Sequence, residues 1–166
     1  MMKMLSPRWP AMAAAALALV PAAAAAQAPM TAAQYVKRAG ASDLYERRSS
    51  MLVMRSTNDR VRDFANMMIR DHDKSTRQVT SAARQARLDP GKPMLEPRQT
   101  RMLARLRAVS GARRDRLYVT QQRTAHRMAL DLHRSYAAGG AARPLKLVAT
   151  NVVPVVRHHL DMLDRM

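Results

Sequence analysis

The sequence has no cysteine, one tryptophan, one phenylalanine and only 12 acidic residues against 29 lysines and arginines. Each shortage excludes something. Without cysteine there are no disulfides and no thioether anchor for a lipoprotein, so the core must hold the fold alone. Aromatic residues are few and Trp9 lies at the extreme N-terminus, so stacking platforms for nucleic-acid bases are missing. Glutamate occurs only at positions 46 and 96, and Glu-x-x-His does not occur. A di-iron carboxylate centre, which uses two such motifs and two further glutamates, is therefore not expected. No hydrolase nucleophile arrangement or phosphate-cradling glycine loop is present, and the chain is expected not to be an enzyme. Alternation of period two is also absent, which excludes a strand-rich fold.

The one long apolar stretch is "AMAAAALALV", ten residues behind Lys3 and Arg8 and ahead of the Ala22 to Ala26 tract. Ten apolar residues are too few to span a bilayer, which needs about 20. The arrangement predicts a secretory signal peptide over 1–26, cleaved after Ala26. The mature domain over 27–166 is then periplasmic, with no transmembrane segment. A net charge of +17 reads either as an arginine-rich habit spread over solvated helix faces or as a surface for anionic partners such as acidic envelope components, which would make the chain a structural or interaction module of the envelope. Nucleic acid is not expected as a partner of an exported chain.

Five helices are predicted. "TAAQ" at 31–34 fits a capping box that opens helix A, running to about Ser56. Asn58 caps helix B, which runs to about Leu88. "DPGKPMLEP" at 89–97 breaks the chain with three prolines and a glycine. A short helix follows over 98–109. Helix C covers 112–138 and stops at Gly139-Gly140. Helix D starts around Pro144, runs to the end and contains Pro154. Short A–B and C–D connections imply an all-α, up-and-down four-helix bundle with an extra short helix between B and C.

Steps of three and four residues mark the faces turned to the bundle interior. They select Tyr35, Ala39, Ser42, Glu46, Ser49 and Val53 in A. In B they select Val61, Ala65, Met68, His72, Ser75, Val79, Ala82 and Ala86. In C they select Asp115, Val119, Gln122, His126, Ala129, His133 and Tyr136. In D they select Leu145, Val148, Val152, Val155, His159, Met162 and Met166. Glu46, His72, His126 and His159 each sit on a seam, one per helix. Counted from the turns at about 1.5 Å per residue, the four agree in height to within about one helical turn. Asp43 lies one turn from Glu46 on the same face.

Three imidazoles and a carboxylate form a competent nitrogen and oxygen set for zinc or copper, with iron as a third choice. The alternative is a buried hydrogen-bond network that fixes helix register. Met68 and Met162 lie one turn from His72 and His159, which invites copper, but methionine is also common core filler. His158 should face outward, and His133 belongs to a second layer two turns from His126.

"ASDLYERRSS", "VRDFANMMIRDH", "SGARRDRLYVTQQRTAH" and "VVPVVRHHLD" together resemble the successive motifs of an exported bacterial family, domain of unknown function 4142. Its members are often labelled predicted outer membrane proteins. The resemblance runs from about Ala32 to Leu163 and rests on the order and spacing of the motifs. It implies a ferritin-like bundle in the periplasm or envelope, without an established role. The matching positions are Glu46, Asp71, His72, Asp115, Tyr118, His126, Pro154 and His159, which adds Asp71 to Asp43 as a supporting carboxylate. Neither barrel-like alternation nor an anchor supports an outer-membrane location.

Overall fold

The computed structural model describes residues 29–166, and the expected leader lies outside the described residues. Regular structure among them is helical: α1 (Ala32–Met51), α2 (Asp59–Gln85), α3 (Pro97–Arg107), α4 (Gly111–Gly139) and α5 (Arg143–Asp164). No helix among the described residues is long and apolar enough to cross a membrane.

The helix starts follow local chemistry. Gln34 N–H donates to Thr31 Oγ1 at 3.2 Å and Thr31 N–H donates to Gln34 Oε1 at 2.9 Å, closing the capping box of α1. Asn58 Oδ1 accepts from Arg60 N–H at 3.1 Å at the start of α2. At the end of α4, Gly140 N–H donates to Tyr136 O at 2.8 Å. A Cβ at Gly140 would stand 2.5 Å from that same oxygen, so only glycine fits this close approach.

Helix α1 ends at Met51, short of the expected Ser56. The stop is tertiary. Arg114 Nη1 of α4 donates to Leu52 O at 3.2 Å, and Val53 turns into the core. That carbonyl is therefore served from outside the helix, which need not continue to pair it.

Helices α1, α2, α5 and α4 form the four sides of a bundle, in that order, with α3 laid against α1 and α4. One apolar end joins Tyr35 and Ala39 of α1 to Val79, Ala83, Leu132, Tyr136, Leu145 and Ala149. The other joins Val53, Val61, Phe64, Met68, Tyr118, Val119 and Leu163. So α1 and α5 run one way, and α2 and α4 run the other. Every neighbouring pair is antiparallel, as an up-and-down bundle requires. The chain reaches that state through a crossover, because the segment containing α3 runs the length of the bundle. Single long crossovers of this kind are found in ferritin-like bundles.

The seam of α5 is rotated from the expected one. Ala149, Val156 and Leu163 are buried together with Leu145, Val152 and His159, whereas Val155 is 41% exposed and Val148 and Met162 are only half-buried. Each displaced residue has an apolar neighbour one position on. A spacing rule cannot choose between two adjacent apolar residues, and packing against both α4 and α2 made the choice.

Candidate metal centre

Midway between the two apolar ends the core turns polar. Asp43, Glu46, His72, His126 and His159 are all buried there. Helix α1 supplies the carboxylates one turn apart, and α2, α4 and α5 supply one imidazole each. The ring centroids of the three histidines lie 5.3 to 5.8 Å from one another. Phe64 closes the layer on one side, with its ring 6.4 Å from His126 and 6.1 Å from His159.

The contacts of each ring fix its protons. Nδ1 of His126 faces the carbonyl oxygen of Gln122 at 2.9 Å. A carbonyl can only accept, so Nδ1 carries the hydrogen. Nε2 of His159 faces Asp71 Oδ2 at 2.9 Å and carries a hydrogen for the same reason. Between these two rings, Nε2 of His126 and Nδ1 of His159 stand 3.2 Å apart. The chain from Gln122 to Asp71 thus has three gaps, and two neutral imidazoles supply only two hydrogens. The middle gap is left with two lone pairs face to face. Two nitrogens held at about 2.0–2.1 Å by one tetrahedral ion would lie about 3.3 Å apart, which matches the observed spacing.

His72 completes the set. Its Nδ1–H donates to Asp43 Oδ1 at 2.8 Å, with Glu46 Oε2 at 3.0 Å. Its Nε2 is buried without a partner. One nitrogen from each of His72, His126 and His159 lies within 4.8 Å of the others. Each of the three rings therefore has one nitrogen on an oxygen acceptor and the other without one. Histidines that bind a metal are oriented in this way.

Charge is divided unequally among the rings. Burial alone would lower His72, but Glu46 and Asp43 reverse this and push it up to about 10. Burial raises Glu46, yet His72 and then His126 outweigh it and hold the carboxyl down at about 2. Burial pushes His126 down to about 4, against the opposing pull of Glu46. Burial, and then the charge on His72, hold His159 below its ordinary value. Near neutral pH the ion-free cluster contains one imidazolium, His72, and two neutral imidazoles with lone pairs to give.

The structure brings Glu46, His72, His126 and His159 together, with Asp43 and Asp71 at the edges. Glu46 lies on the Nδ1 side of both His72 and His126, 3.6 Å from Nδ1 of the latter. In this arrangement it stands behind the rings, although its spacing had suggested a ligand. Asp71 is the partner of His159. The carbonyl of Gln122 could not be found by scanning side chains, although its i, i+4 relation to His126 is visible in hindsight. Thr76 Oγ1, 3.0 Å from Asp43 Oδ2, also gave no sequence signal. His133 is apart from the cluster, with Nδ1 3.0 Å from the hydroxyl of Tyr35. His158 is exposed.

A cleft of about 510 Å³ reaches the cluster from the α2 and α5 side, lined by His72, His159, Asp43, Glu46 and Asp71, with Lys74, Asn151 and His158 among its other lining residues. His126 is absent from that lining.

The sequence matches the family described as Domain of unknown function (DUF4142) over residues 18–166. A comparison with curated proteins finds no match. Among solved structures the chain is similar to a DUF305 fragment from Deinococcus radiodurans, with a TM-score of 0.68 and 17% identity, over 82% of this chain and 96% of that one. At that identity the likeness is one of fold.

Proposed function

The chain belongs to the DUF4142 family, and on that premise we propose that it is a non-enzymatic, exported bundle that holds a divalent transition-metal ion on His72, His126 and His159. The observation that carries this reading is the 3.2 Å gap between two nitrogens that have no hydrogen to share. An ion there turns a repulsion between lone pairs into two bonds.

Three inner nitrogens with carboxylates held behind them favour zinc or copper(II) over iron. Asp71, the Asp43 and Glu46 pair, and the Gln122 carbonyl would orient the three rings. A three-histidine set leaves a fourth position open, and the cleft between α2 and α5 provides solvent access. The leader-like start of the sequence supports a periplasmic location.

The test is calorimetric titration of chelator-treated protein with zinc or copper(II). Wild type should bind a first equivalent tightly, and the His126→Ala, His159→Ala double variant should lose it. Equal first-equivalent binding by a folded double variant would sink the reading.

A further inference from the structure

An ion between the three imidazoles leaves a second anomaly untouched. Glu46 is fully buried, and neither of its carboxylate oxygens takes part in a hydrogen bond. Oε2 lies 3.0 Å from Nδ1 of His72, yet that nitrogen's single hydrogen is directed at Asp43. Oε1 lies 3.6 Å from Nδ1 of His126, whose hydrogen goes to Gln122 O. A buried carboxylate without a hydrogen bond is rare in native proteins, and in the ion-free protein it is answered by the charged ring of His72 beside it. Asp43, Glu46 and His72 each present one ligand atom within 4.8 Å of the others.

We propose that Asp43, Glu46 and Nδ1 of His72 bind a second cation, so that His72 bridges two metal ions. This rests on the reading above for the first ion. One ion cannot serve both places. The two ring nitrogens of His72 point away from each other, and the carboxylates stand at Nδ1 while the free nitrogen is Nε2. Charge balance favours the pair. Asp43, Glu46 and Asp71 leave the cluster anionic with one divalent ion present. A second divalent ion, with His72 as imidazolate, brings it to neutrality.

The step exchanges a proton for a metal. The first ion displaces the Nε2 proton of the His72 imidazolium; for the second, the Nδ1–H bond breaks, an Nδ1–metal bond forms, and each proton leaves through the cleft to solvent. No electrons are transferred. Two oxygens and one nitrogen suit zinc or copper(II).

The experiment is titration of chelator-treated full-length mature protein with copper(II) alone, following equivalents bound and the electron paramagnetic resonance signal. Wild type should take two equivalents. The signal should grow through the first and collapse through the second, because two copper(II) spins joined by an imidazolate pair antiferromagnetically. Glu46→Gln and Asp43→Asn should each take one equivalent and keep its full signal, with helicity by circular dichroism showing that they fold. Wild type saturating at one equivalent with an undiminished signal overturns the second site and leaves the first standing. Folded variants that still reach two coupled ions overturn the residues assigned. No tight equivalent at all overturns both.

Discussion

Nε2 of His126 and Nδ1 of His159 face each other at 3.2 Å across the bundle core, while the far nitrogen of each ring is committed to an oxygen. The pair is short of one positive particle. At neutral pH a proton is a poor candidate, because burial holds both rings below their ordinary values. On the proposed reading a metal ion would supply the charge and make use of both lone pairs.

Metal should therefore stabilise the fold. At a free concentration 100 times the dissociation constant, a bound ion adds about 2.7 kcal/mol, which raises the melting temperature of a domain this size by roughly 10 °C. Melts with zinc and with chelator check this. Identical curves would contradict it.

The ion-free protein should be most stable around neutral pH. His126 has a folded value near 4, below its unfolded value of about 6.5. Its contribution is present above about 6.5 and is lost as pH falls through 4. His159 and His133 are shifted in the same direction, chiefly by burial. His72 is raised to about 10, so its contribution is full below about 6.5 and fades as pH climbs towards 10. Melting temperature against pH in chelator should fall on both sides, and His72→Leu should flatten the alkaline limb. A profile that is level between 4 and 6.5 would contradict the acid side.

Replacing His72 should be expensive even by a residue that fits the seam. His72→Leu strands Glu46, whose buried oxygens are otherwise unpartnered and lie beside the charged His72 ring. Breaking a buried ion pair from one side costs about 3 kcal/mol or more. Adding Glu46→Leu should recover most of the loss, since an apolar replacement of both partners is often near neutral. Urea unfolding of the single and double variants in chelator gives both numbers. A harmless single variant would place the Glu46 charge elsewhere.

Tyr35 offers a control outside the cluster. Its hydroxyl meets His133 Nδ1 at 3.0 Å, and its ring stacks on Tyr136 at 4.1 Å. Tyr35→Phe keeps the stack and loses the hydrogen bond, at a cost of about 1 kcal/mol. Metal stoichiometry should be unchanged. A loss of metal in this variant would extend the site to the His133 layer.

Most helix boundaries were legible because they are set locally, by Thr31 with Gln34, by Asn58, by the proline-rich break and by Gly139-Gly140. The end of α1 was not, because Arg114 decides it from another helix. The seam of α2 was readable because its buried positions are flanked mainly by charged or polar residues. That of α5 was not, because Val155 and Val156, like Met162 and Leu163, offer two apolar choices. Counting residues from the turns treats the break as joining α2 and α4 at one end. The crossover instead starts α4 at the end where α2 starts, and His72 and His126 still come level because each lies near the middle of its helix. The roles within the cluster depend on which nitrogen faces which oxygen, and spacing along a chain does not contain that.

The most direct test is a crystal structure of the zinc-loaded protein with anomalous diffraction measured across the zinc absorption edge. A peak about 2.0–2.1 Å from Nε2 of His126 and from Nδ1 of His159, with His72 as the third ligand, is the predicted result. Zinc found only at surface carboxylates, with the His126 to His159 gap vacant, would contradict it.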